Sequence, residues 1–288
     1  MSNAYRQWLN DLQALEQKAA ALDADDLIPP GWTLPSLDAP VALICSPHPD
    51  DEAITGGLAL RLRREGWRVV NVAVTLGSNS ARRSARLEEL ERCCTFLGFE
   101  LEVANGLGLE RIHPEQATKD PAHWQRSVAA LAHIFGKWSP RVVIFPHAED
   151  FHPTHIGTHY LVHAALKQTQ LSSAPWMVES EFWAQMRTPN LLIGSSVDDV
   201  AILLAGLRQH VGEVSRNPYH LRLPGWLSDN VRRGSEILAG AGSTAADFAY
   251  GTLYRRSRGG ADPGSAIIPP SGQISDLFYA RDQPRLGS

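Results

Sequence analysis

Two patterns of apolar positions alternate along the chain. Short runs at 41–45, 68–75, 100–104, 141–145 and 176–185 read as strands, and the first and fourth are almost wholly apolar, as buried strands are. Between them, helical spacing covers 53–65, 81–97, 122–138 and 156–169, with Gly98 placed to cap the second of these. Strands alternating with helices predict an α/β fold, a Rossmann-like three-layer sandwich with a mostly parallel sheet and helices on both faces. An amphipathic helix is expected at about 4–22, carrying Trp8, Leu9, Leu12, Leu15, Ala19 and Leu22, followed by a connector after Pro29, Pro30 and Gly31.

Past residue 190 the pattern loosens. Helices are predicted at 197–214 and 224–238, and the Gly, Pro and Ser content of 257–275 reads as a loose tail. The expected organisation is an N-terminal helix and connector at 1–39, a main domain at 40–256 with an α-rich extension from about 190, and a tail at 257–288. No internal repeat is visible.

Composition narrows the class. A hydrophobic fraction of 43% with 20% charged residues is that of an ordinary globular chain, and a net charge of −4 leaves no bulk footprint for nucleic acid. Cys45, Cys93 and Cys94 are too few, and odd in number, for a disulfide framework. No run reaches the ~18 apolar residues of a membrane span, and the first residues lack a signal-peptide core. The expectation is a soluble, cytoplasmic protein with a small-molecule substrate. Monomer and homo-oligomer both remain open.

Two polar constellations follow strands, where ligands of parallel sheets bind. The first packs His48, Asp50, Asp51 and Glu52 into five residues behind Ser46 and Pro47. His48 and Asp51 offer the imidazole and carboxylate donors that zinc accepts, and Asp50 is then free to act on water. An acidic turn capping the next helix is the plainer reading. The second holds five of the eleven histidines: His147, His152, His155, His159 and His163. His152 and His155 straddle a strand-to-helix turn. His159 and His163 continue one helix face, where ordinary packing is the favoured reading and the HExxH pattern is absent. The loop after the first strand carries Pro47-His48-Pro49 and no glycines, which counts against a nucleotide-binding Rossmann enzyme.

His48-Pro-Asp50-Asp51-Glu52 followed by His152-Pro-Thr154-His155 resembles the LmbE-like, or PIG-L, zinc-dependent de-N-acetylases over roughly residues 40–185. The resemblance implies a hydrolase of a linear amide that removes acetyl from an N-acetylated, N-acetylglucosaminyl-type sugar or conjugate. It implies His48, Asp51 and His155 as ligands of Zn²⁺, Asp50 as general base, and His152 as general acid or oxyanion stabiliser. Fe²⁺ suits the same donors. Thr154 stands where many members carry Asp, and Asp150 is the nearby carboxylate that could substitute. Arg83, Arg86, Tyr219 and His220 are candidate substrate contacts, with a solvated helix face and a structural turn as the alternatives. Two other readings are a non-catalytic binding relative and an amidase acting on a non-sugar N-acyl group.

Overall fold

The structure, a computed structural model, describes residues 3–22 and 27–279. The first half alternates as follows: α1 (Ala4–Ala20), β1 (Val41–Ser46), α2 (Asp51–Ile54), α3 (Gly57–Arg64), β2 (Arg68–Ala73), α4 (Arg83–Leu97), β3 (Glu100–Val103), α5 (Gln116–Lys119), α6 (Pro121–Trp138), β4 (Val142–Pro146) and α7 (Pro153–Gln168). There follow β5 (Trp176–Ser180), β6 (Leu191–Ser195), α8 (Val197–Arg208), α9 (Val211–Val214), α10 (Tyr219–Ala239), β7 (Tyr250–Ser257), β8 (Ala266–Ile268) and α11 (Asp276–Tyr279).

The strands form one sheet in the order β3-β2-β1-β4-β5-β7-β6-β8. All neighbours are parallel except that β7 runs antiparallel to both β5 and β6. Successive side chains of β1 point to opposite faces. Ala42 and Ile44 enter a core with residues of α3, α4, α8 and α10, whereas Leu43 and Cys45 enter a second core with α6 and α7. Both faces are therefore covered, which is the three-layer α/β arrangement that the alternation predicts.

The differences from the predicted elements have local causes. The expected helix at 53–65 breaks between α2 and α3 because the Tyr254 hydroxyl enters the gap. It donates to the Thr55 carbonyl (2.7 Å) and accepts the Leu58 N–H (2.9 Å). The expected helix at 197–214 breaks at Gln209 and His210, where the His210 ring turns into the core. Helix α10 starts at Tyr219 and keeps Pro224 inside it, at the expense of one backbone hydrogen bond.

Residues 257–279 are a correction to the expected tail. Strand β8 pairs with β6, and Ile274 and Phe278 are fully buried. Glu65 accepts the N–H groups of Ile274 and Ser275 (both 2.8 Å), and Trp67 Nε1 donates to Ser275 Oγ (2.8 Å). Composition suggested looseness, but a few apolar residues spaced through the segment close the core. The remainder of the expected tail, 280–288, lies outside the described residues. Helix α1 forms as predicted yet buries none of its residues. Among the described residues no helix is long and apolar enough to cross a membrane, and the three cysteines are free and buried.

Candidate metal-dependent active site

Strand order reverses at β1, which has β2 on one side and β4 on the other. Connections leaving β1 and β4 therefore diverge and open a crevice beyond their carboxyl ends. The β1–α2 loop brings His48, Asp50 and Asp51 there. The start of α7 brings His152, its N-cap, and His155, in its first turn. Thr75, just beyond β2, ties the loop down by donating from Oγ1 to the Pro47 carbonyl (2.7 Å).

Asp51 Oδ2 accepts the His48 N–H (2.8 Å), and it stands 3.5 Å from His48 Nδ1 and 3.4 Å from His155 Nε2. These two separations are long for hydrogen bonds. They match the roughly 3.3 Å edge of a tetrahedron whose arms are the ~2.0–2.1 Å of zinc–ligand bonds. Both ring nitrogens of His155 are buried without a hydrogen-bond partner, a state that buried polar atoms avoid unless something else engages them. The donor atoms of His48, His152 and His155 also lie within 4.8 Å of one another. Imidazole and carboxylate are donors that zinc accepts, so His48, Asp51 and His155 could hold a catalytic ion. Burial pushes the Asp51 carboxyl up, but His155 and His48 beside it outweigh that and hold it at about 2.

Asp150, the nearby carboxylate, lies beside both histidines of the second motif. Its Oδ2 lies 3.6 Å from His155 Nδ1, and its Oδ1 accepts the His152 N–H (2.9 Å). Thr154 contributes only its backbone, whose N–H donates to His152 Nδ1 (3.2 Å). That bond makes Nδ1 an acceptor and leaves the neutral ring's proton on Nε2. Burial, with His48 and His155 nearby, brings the His152 pKa down to about 4, so the ring is a neutral donor at pH 7.

Asp50 occupies φ 118°, ψ −28°, a conformation that costs a non-glycine residue on the order of 1–3 kcal/mol. It sits at the N-cap of α2 without capping it, so its carboxyl is not consumed by the helix. Burial and the Asp51 charge raise that carboxyl well above the usual range, against the pull of Arg86.

Over these residues lies a cleft of about 700 Å³. Arg83, Arg86 and Tyr219 line it, as does Arg216. His220 is the correction among the expected contacts. Adjacent residues on a helix point about 100° apart, and His220 does not line the cleft that Tyr219 faces; its buried ring nitrogens lack partners. Phe182 and Trp183 form an aromatic wall with Tyr219, and Glu213 lies beside Arg86 (4.0 Å). The sequence signal for these three was absent, because they come from a post-strand loop and a four-residue helix far from either motif. Loop 109–113 also lines the cleft, close to α7 at Gly157, where any Cβ would meet the Ile112 carbonyl oxygen at 2.4 Å.

Further along α7, His159 packs as the plainer reading holds. Its Nδ1 donates to the Pro146 carbonyl (3.1 Å) and its ring lies against Phe145.

Residues 43–166, the segment bearing both motifs, match the family described as PIG-L: GlcNAc-PI de-N-acetylase. The 1D-myo-inositol 2-acetamido-2-deoxy-alpha-D-glucopyranoside deacetylase of Corynebacterium kroppenstedtii is 30% identical over 159 residues, 44% of this chain and 41% of that protein. The chain thus spans about two fifths of the length of the curated relative it matches. Among solved structures, N,N'-diacetylchitobiose deacetylase from Pyrococcus horikoshii is similar with a TM-score of 0.57 at 16% identity, covering 89% of this chain and 94% of that one. GalB, the 4-carboxy-2-hydroxymuconate hydratase of Pseudomonas putida, is similar with a TM-score of 0.56 at 18% identity, covering 79% and 100%. These two likenesses establish the fold. Chemistry has to be argued from the site.

Proposed function

We propose that this chain is a zinc-dependent deacetylase that hydrolyses the acetamide of an N-acetylated sugar or sugar conjugate of the N-acetylglucosaminyl type, releasing acetate and a free amine. The observation that carries this reading is the convergence of His48, Asp51 and His155 at tetrahedral-edge spacing beneath an open cleft, with the Asp50 carboxyl beside them. When bound, zinc supplies Lewis-acid polarisation of the amide carbonyl and acidifies the attacking water.

The chain's own residues supply the rest. Asp50 takes a proton from the attacking water and returns it to the departing amine, which a buried carboxyl of raised pKa suits. His152 offers its Nε2–H to the oxyanion as a neutral donor, since its pKa near 4 disfavours the imidazolium. Asp150 orients His155 from its far side. The aromatic wall of Phe182, Trp183 and Tyr219 gives a sugar ring an apolar face to lie on, while Arg83 and Arg86 reach its polar groups.

The test is acetate release from a panel of N-acetylglucosaminides with different aglycones, at defined metal loading with zinc or iron(II). Asp50→Asn is expected to keep the metal and lose about 10²–10⁴-fold in kcat. His155→Ala is expected to lose the metal itself. Near-normal turnover in the first variant removes Asp50 as base, and full metallation of the second removes His155 as ligand.

A further inference from the structure

His210 lies outside the family-matching segment, 158 residues from Glu52, yet its Nε2 stands 2.6 Å from Glu52 Oε1. The pair is almost completely buried, at 1% and 0% exposure. The other oxygen of the same carboxylate, Oε2, accepts the backbone N–H of Asp50 (3.0 Å). One carboxylate thus joins a ring on the α8–α9 junction to the main chain of the residue with the unusual φ. Cys93 completes the buried group, and burial together with Glu52 pushes its thiol well up, so it stays protonated.

We propose that His210 is a positioning residue for the deacetylation: through Glu52 it fixes the Asp50 backbone in the conformation that presents the Asp50 carboxyl to the cleft. Three observations converge on this. The Asp50 side chain makes no capping bond, so its backbone is held by the Ala53 and Ile54 N–H groups on its carbonyl and by the Glu52 carboxylate on its own N–H. The carboxylate that holds its N–H is gripped from distant elements, at 2.6 Å by the His210 ring and beside it by the Cys93 thiol of α4. The helix predicted over 197–214 breaks where the His210 side chain turns inward, so the break serves the contact. The junction is itself anchored to α4, where Glu89 Oε1 accepts the Gly212 N–H (2.8 Å). The region beyond residue 190 therefore reaches the site indirectly through His210 and directly through the cleft-lining Glu213, Arg216 and Tyr219.

The proposal rests on the deacetylase reading for its catalytic consequence, but the coupling is measurable without turnover. Full-length wild type, His210→Ala, His210→Gln and Asp50→Asn are compared in zinc content, kcat and KM on the best N-acetylglucosaminide, and amide exchange of the peptide spanning Asp50. His210→Ala is expected to keep its zinc, lose about 10–100-fold in kcat with KM within about threefold, and exchange the Asp50 amide faster. His210→Gln, which retains a donor for Glu52, is expected to recover most of both, and it serves alone should His210→Ala fail to fold. Unchanged Asp50 exchange in a folded His210→Ala overturns the coupling. Faster exchange with undiminished kcat overturns the catalytic role, as does a loss confined to KM or no recovery in His210→Gln. Faster exchange in a protein whose wild type turns over nothing on the panel sustains the coupling and removes the deacetylase reading instead.

Discussion

Asp50 holds φ 118° with a buried carboxyl, next to Asp51 and within the field of Glu52 and Glu213. Neither feature favours folding. Replacing Asp50 by Ala removes the carboxyl but leaves a Cβ in the disfavoured region. Replacing it by Gly removes both. The metal-free Asp50→Gly variant is therefore expected to be more stable than Asp50→Ala by about 1 kcal/mol, read as a higher urea midpoint with unchanged m-value. Equal midpoints show that the backbone there is unstrained. That His48, Asp50, Asp51, His152 and His155 gather in one place was legible in the sequence, because both clusters directly follow apolar strands of a parallel sheet. Glu213, Phe182 and Trp183 were not, since their nearness to the cleft depends on how the chain beyond residue 180 packs.

On α7 one face carries three histidines with different fates. His155 meets the candidate metal ligands, His159 is held in the packing against β4, and His163 lies against Phe145. Burial, then His163 and His147, keep the His159 pKa at about 4 although the Pro146 carbonyl favours its proton. The unfolded chain takes up a proton near pH 6.5 and native His159 does not until about pH 4. Stability that is present above pH 6.5 is thus lost as pH falls through that window. Between pH 7 and 5 the wild type is expected to lose about 2 kcal/mol more than His159→Asn in denaturant unfolding. Equal losses would mean that the ring is already protonated in the fold. Periodicity found α7 and most of its neighbours because local pattern sets element type. It missed the breaks before α3 and α9 because the partners met there, Tyr254 for the Thr55 carbonyl and Glu52 for the His210 ring, lie far off in sequence.

Across the described residues, the parallel order β3-β2-β1-β4-β5 places the site, and residues 191–279 complete the structure around it. Strand β7 enters the sheet antiparallel, β6 and β8 extend it, and α8 and α10 cover one face. The parallel half was readable from strand–helix alternation. The rest was not, because β6, β7 and β8 do not alternate regularly with helices and β7 runs antiparallel to both its neighbours. The Gly- and Pro-rich stretch after β7 looked dispensable from its composition. Its end is instead a plug: Phe278 is fully buried, edge-on to Trp67 (6.2 Å) and Trp176 (5.9 Å), and Arg141 Nε donates to its carbonyl (2.8 Å). Truncating such a side chain removes its burial and leaves a cavity that a rigid sheet cannot fill. Phe278→Ala is expected to destabilise the fold by about 3–5 kcal/mol in urea unfolding. An exposed replacement nearby, Ala261→Ser, should change stability by less than about 0.5 kcal/mol. A loss below about 1 kcal/mol in Phe278→Ala would mean that the segment is peripheral, as its composition suggested. The larger loss would make residues 257–279 part of the same cooperative unit that carries the candidate metal ligands.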